Sequence, residues 1–125
     1  MHPDTKKFVE SIEHLPESER MEKLVSYYHS GNEGAYHAIQ GLSRLRFSKE
    51  TLLRIFDDCV LQAPTGNPDV YEAFSKTLSS KTFASKLKPL INDKNRLIVT
   101  QQVSIALSKS KKDIHYRSVV LDAIS

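Results

Sequence analysis

The chain has one cysteine, no tryptophan, four glycines and five prolines in 125 residues, and each shortage excludes a class of structure. The single Cys59 cannot close an internal disulfide, and no Cys-Cys or Cys-His spacing marks a structural zinc site, so a reducing compartment fits. Glycine and proline at this level are too sparse for a low-complexity or mainly turn-built chain. No stretch approaches the roughly 18 consecutive apolar residues of a spanning helix. The start, "MHPDTKKFVESIEHL", alternates charge with apolar residues and lacks the hydrophobic run of a secretory signal. A soluble, cytoplasmic protein with no membrane partner is expected.

What is present belongs to an ordinary folded chain. Hydrophobic residues make up 39% and charged residues 26%, and the length suits one domain that closes its own core without metal or disulfide help. The net charge of +3 is unevenly placed. Residues 1–62 carry eight Lys/Arg against ten Asp/Glu, a balance of −2, and residues 63–125 carry ten against five, a balance of +5.

One pattern recurs. "GLSRLRFS" (41–48), "AFSKTLSS" (73–80) and "ALSKSKKD" (106–113) each present a small residue, Leu or Phe, Ser and a cation. Ser43, Ser75 and Ser108 stand 32 and 33 residues apart, and five residues beyond them lie Ser48, Ser80 and Asp113. Those three types suit a helix N-cap, because a side-chain oxygen takes an orphan backbone N–H. Each block therefore reads as a helix end, a tight connection and a new helix start. Ile55, Leu87 and Val120, followed four residues later by Cys59, Ile91 and Ile124, place apolar groups on one helical face. Before the motif, Leu42, Phe74 and Leu107 with Ala38, Val70 and Val103 repeat the seam.

A helix-turn-helix period of this length marks stacked hairpins whose neighbours complete one another's core. About four units follow, over residues 4–30, 32–63, 67–91 and 92–125. In the first, a helix over about 4–14 precedes Pro16 at a first-turn position with Glu17 and Glu19. The joints "SGNEG", "PTGNPD" and "NDKN" carry turn chemistry, with Asn67-Pro68-Asp69 in the order a helix start prefers. Pro89 should end or distort a helix near Lys88.

On Leu42-Ser43-Arg44, Phe74-Ser75-Lys76 and Leu107-Ser108-Lys109 the chain resembles the HEAT-like α-helical repeats. The resemblance implies an all-α, α-solenoid-like single domain of about four stacked antiparallel hairpins, seven to eight helices in all. Neither the Trp-containing tetratricopeptide pattern nor the Thr-Pro-Leu-His ankyrin pattern is present.

The chemistry-bearing residues read mostly as structure. Adjacent helical residues diverge by about 100°, so Ser75-Lys76 is poorly placed as a catalytic pair and reads as a helix end where Ser bonds backbone. Cys59 occupies a position filled by isoleucine in the next two units, which makes it an inert buried thiol. Asp57 and Asp58 are neighbours that do not face one another and read as a solvated face. His2, His14, His29, His37 and His115 show no metal-ligand spacing, so no metal or cofactor is expected. Tyr27, Tyr28, His29, Tyr36 and His37 cluster around Gly31 and Gly34, and divide between packing at a joint and a protein-binding patch.

In stacked hairpins all within-hairpin turns share one edge. Arg44, Arg46 and Lys49 flank one turn, Lys76 and Lys81 the next, and Lys109, Lys111 and Lys112 the last, opposed only by Glu50 and Asp113. The expectation is a basic ridge, with Glu33, Asp69 and Asp93 on the opposite edge beside Lys94 and Arg96. Such a ridge is either ordinary solvated surface or a site for an anionic partner. A non-enzymatic module that binds another protein of acidic surface is the leading expectation, and in size and fold it resembles bacterial toxin-neutralising immunity proteins and adaptors. Nucleic-acid binding is the alternative, with "TQQVSIALSKSKKDI" as a helix-turn-helix lookalike and Phe47 as the one aromatic on the ridge.

Overall fold

The computed structural model describes residues 1–61 and 67–125 and is all-α. Its helices are α1 (Pro3–Ile12), α2 (Glu17–Tyr28), α3 (Asn32–Leu42), α4 (Lys49–Phe56), α5 (Pro68–Thr77), α6 (Ser80–Leu87), α7 (Arg96–Lys109) and α8 (Ile114–Ile124). A π-turn over Asp57–Leu61 continues α4, and a 3₁₀ turn over Lys88–Leu90 continues α6. No strand occurs among the described residues, and none of their helices is long and apolar enough to cross a membrane. The chain forms two compact units, Met1–Gln62 and Ala63–Ser125.

In the first unit α3 packs against α1 and α2, and α4 against α2. In the second, α5 packs on α7 and α6 on α8. Within each unit, then, a helix meets the one two places further along. The apolar seam explains why. Ala38, Leu42, Ile55, Cys59, Val70, Phe74, Leu87, Val103, Leu107, Val120 and Ile124 are all buried, and each fully buried Leu, Ile or Phe side chain stabilises by about 1.5–3 kcal/mol.

Helix starts follow their caps. Ser48 Oγ accepts from Thr51 N–H at 3.3 Å, and Asp113 Oδ1 accepts from Tyr116 N–H at 2.8 Å. Asn67 Oδ1 accepts from Asp69 N–H at 3.0 Å, with Pro68 at the first helical position. The middle cap is Ser79, not Ser80: its Oγ accepts from Thr82 N–H at 3.3 Å and Ser80 is already helical. Leu78 leaves α5 in an extended conformation, φ −113 and ψ 147, so this connection is one residue shorter than the sequence pattern suggests. Pro89 acts as expected, because α6 ends at Leu87 and its last turn tightens to 3₁₀. That change removes Ile91 from the seam and buries Leu90 instead. The first helix stops at Ile12, short of the expected 14, and Pro16 is the N-cap of α2 instead of a first-turn residue. Of "PTGNPD", residues 64–66 lie outside the described residues.

Two glycines are required by position. Gly31, the N-cap of α3, has φ 134, which strains any L side chain. At Gly34 an added Cβ would come within 2.3 Å of the Tyr27 carbonyl oxygen, so the end of α2 packs directly on the first turn of α3.

Candidate functional site

Ser75 answers as structure. It is buried, and its hydroxyl shares its proton between the Glu72 carbonyl at 2.7 Å and Ser110 Oγ at 3.0 Å, while Lys76 beside it is exposed. Ser110 in turn donates to the Ala106 carbonyl at 3.0 Å. Cys59 is buried, and burial, with a smaller push from Asp58, raises its thiol to about 12. Asp57 and Asp58 are half-buried on the π-turn, and the Asp58 carbonyl meets His29 Nε2 at 3.0 Å.

In the second unit two turns adjoin. Ser110, at the end of α7, touches Ser75 near the end of α5. From the first turn of α8, the Tyr116 hydroxyl reaches the Ser75 carbonyl at 3.1 Å and the Leu78 carbonyl at 2.8 Å. Burial pushes that phenol up to about 12. The α5–α6 and α7–α8 turns therefore share one edge, and it carries Lys76, Lys81, Lys111 and Lys112. Lys112 Nζ lies 4.6 Å from the Tyr116 ring centroid, a cation–π contact.

Lys109 differs from the other ridge cations. From the end of α7 it reaches the Asp69 carboxylate at the start of α5, and that bond holds its ammonium above the usual range. By its spacing Asp69 belongs to the opposite edge, and the long lysine side chain spans the distance because helical side chains lean toward the helix start. Asp93 pairs with Arg96 at 3.1 Å.

The turn after α7 is a Schellman motif. Lys112 N–H donates to the Leu107 carbonyl at 3.0 Å and Lys111 N–H to the Ser108 carbonyl at 3.1 Å. Its left-handed position, φ 56, is filled by Lys111, the one non-glycine residue with positive φ among those described. Two residues past this pair, Ile114 is 83% exposed at the first position of α8.

In the first unit Arg44, Arg46 and Lys49 are exposed around the α3–α4 turn. Arg20 fastens that turn to the one before it, donating to the Leu15 carbonyl at 2.7 Å and the Arg46 carbonyl at 2.6 Å. Its guanidinium sits 5.5 Å from the Phe47 ring centroid, so Phe47 is occupied by an arginine of its own unit. Glu17 caps a distant helix: its carboxylate accepts from Ser48 N–H at 2.7 Å and from Thr51 Oγ1 at 2.7 Å. Those hydrogen bonds, Thr51's first, hold it below the usual carboxylate range.

The aromatic joint divides. Tyr27 and Tyr36 pack around buried His37, with ring centroids 6.3 and 5.1 Å away. Phe8 joins through Tyr27 at 4.5 Å. Tyr28 and His29 form a separate edge-on pair, and burial raises the Tyr28 phenol. Only Tyr36 of the three tyrosines is exposed.

The structure also joins residues that the sequence keeps apart. His2, Asp4 and His37 each bring a ligand atom within 4.8 Å of the others. Folding α1 onto α3 makes this cluster, and no local spacing announces it. No protein-family model, curated protein or solved structure matches the chain.

Proposed function

We propose that this chain is a non-enzymatic helical-repeat protein of the HEAT-like kind that binds a protein of acidic surface through the turn edge of residues 63–125. The repeat reading is supported by the packing of each helix on the one two places along. It is also supported by the adjoining turns, fastened by Arg20 in one unit and Tyr116 in the other. The cytoplasm suits a chain whose one thiol is free and buried.

One observation carries the choice of partner: Ile114, a large aliphatic group 83% exposed, stands beside Lys111 and Lys112. An apolar anchor rimmed by cations suits a protein pocket edged with carboxylates, where the anchor supplies affinity and the rim steers encounter. Phosphate backbones make no use of an isoleucine. Lys111 adds to this, because backbone strain at a non-glycine left-handed residue costs of order 1–3 kcal/mol and gathers at functional positions. On this edge the Tyr116 ring lies under Lys112 and its hydroxyl is tied inward, so it is no stacking platform. Adaptor and toxin-neutralising roles both need only such a surface.

The test is capture of a partner by the purified chain and by its Ile114→Asp variant, alongside salt titrations with generic DNA and RNA. One stoichiometric protein held by the parent and lost by the variant supports the reading. Nucleic-acid affinity falling steeply with salt, and indifferent to Ile114→Asp, replaces it with phosphate binding.

A further inference from the structure

The candidates outside the proposed edge are the exposed apolar side of α7, the shallow groove beside Met21 and Asp58, and the histidine cluster at the start of α1. The cluster brings metal-ligating groups together from two elements, α1 and α3. His2 caps α1, and one of its ring nitrogens is already assigned: Nδ1 accepts from Asp4 N–H at 3.0 Å. With Nδ1 accepting, Nε2 carries the ring proton, so His2 ligates an ion only by giving up this cap bond. Asp4 Oδ2 lies 4.0 Å from that same His2 Nδ1, and both side chains are about half exposed, at 48% and 53%. His37 enters from α3. Its ring is buried, Nδ1 lies 2.7 Å from Thr5 Oγ1, and Nε2 lies 3.8 Å from Glu33 Oε1 one turn earlier.

That arrangement has the logic of a metal site in both shells. A ligating histidine ordinarily gives its second ring N–H to a fixed oxygen, which sets the tautomer and aims the free nitrogen. Thr5 is placed to be that oxygen. It is fully buried on α1, so it holds the His37 ring with Nε2 toward the Glu33 carboxylate. Two imidazoles and two carboxylates supply four nitrogen and oxygen ligands, and their two negative charges match a dication. Imidazole in the set favours zinc and its neighbours over magnesium or calcium, which take oxygen ligands. The 4.8 Å spread of His2, Asp4 and His37 is wider than ligands spaced around a bound ion, and Glu33 stands outside that trio, meeting it at His37 Nε2. The exposed Asp4 and Glu33 side chains close that gap by rotamer change, and His2 by exchanging its cap bond for the ion.

We propose that His2, Asp4 and His37, completed by Glu33, form a Zn²⁺ site that ties the first turn of α1 to α3, with Thr5 as the positioning residue for His37. This site is separate from the lysine edge and does not depend on it.

The experiment is equilibrium dialysis and calorimetry with Zn²⁺ alone on the full chain, any affinity tag removed, with Mg²⁺ in parallel. One equivalent of Zn²⁺ and a higher melting temperature are expected, with no uptake of Mg²⁺. His2→Asn keeps a capping side chain but removes the imidazole. Together with Asp4→Asn, it should weaken Zn²⁺ by no less than the roughly 10- to 100-fold that outer-shell losses cost. Both positions are exposed, so helicity should be unchanged. Thr5→Val should weaken Zn²⁺ while leaving one equivalent at saturation, and His115→Asn should change nothing. Absence of stoichiometric uptake, or uptake that ignores His2→Asn and Asp4→Asn or responds equally to His115→Asn, overturns the proposal.

Discussion

Replacing Lys111 by glycine should make the protein more stable and its edge weaker. Lys111 holds φ 56 to complete the Schellman turn after α7. A left-handed L-residue costs roughly 1–2 kcal/mol, which glycine escapes. Against this, glycine widens the unfolded ensemble by about 0.4–1 kcal/mol. The difference favours the variant by about 0.5–1 kcal/mol, since the side chain is exposed and makes no ion pair among the described residues. If residues 63–125 melt as a cooperative unit, that gain is a rise of about 2–8 °C in a domain of this size. Circular dichroism melts measure it, and urea titrations at constant m confirm it. Lys111→Asn should give part of the gain, because asparagine tolerates the left-handed region better than lysine. A variant no more stable than the parent would refute the strain assignment. A stable variant that binds its partner as tightly as the parent would show that the lysine is not held there for binding.

Tyr116→Phe removes the hydroxyl that serves the Ser75 and Leu78 carbonyls, and should cost about 1–3 kcal/mol by urea denaturation because it leaves them short of a donor. Gly34→Ala would gain about 1 kcal/mol in helix propensity. The new Cβ would sit 2.3 Å from a backbone oxygen, so overpacking of roughly 1–3 kcal/mol should win and the melting temperature should fall. Glu17 is ionised more readily when folded than when unfolded. Its contribution is therefore present above the unfolded carboxylate range and lost as pH falls through the lower folded value. A melting curve against pH should show this loss in the parent and a flatter acid limb in Glu17→Gln.

Helix content and the seam were legible because burial imposes periodicity: Leu42, Phe74 and Leu107 recur with their motif, and each is buried. Ser48 and Asp113 were legible as caps because capping is local chemistry. The Ser79-Ser80 doublet offers two equal caps, and the extended Leu78 decides between them, which only tertiary structure reveals. The lysines near the turns could be read from spacing. The return of Lys109 to Asp69 could not, since it depends on how α5 lies against α7. Contacts such as Arg20 to Arg46, or His2 to His37, join residues far apart in the chain and carry no local signal.

The central claim is that an isoleucine anchor and a lysine rim act together on one acidic protein. It is tested most directly by measuring that partner's affinity for the parent, for Ile114→Ser, and for a variant with Lys76, Lys81, Lys111 and Lys112 changed to serine, each at two salt concentrations. Ile114→Ser should lose roughly tenfold or more at both, and the lysine variant should lose association rate and salt dependence. Full affinity in Ile114→Ser would contradict it.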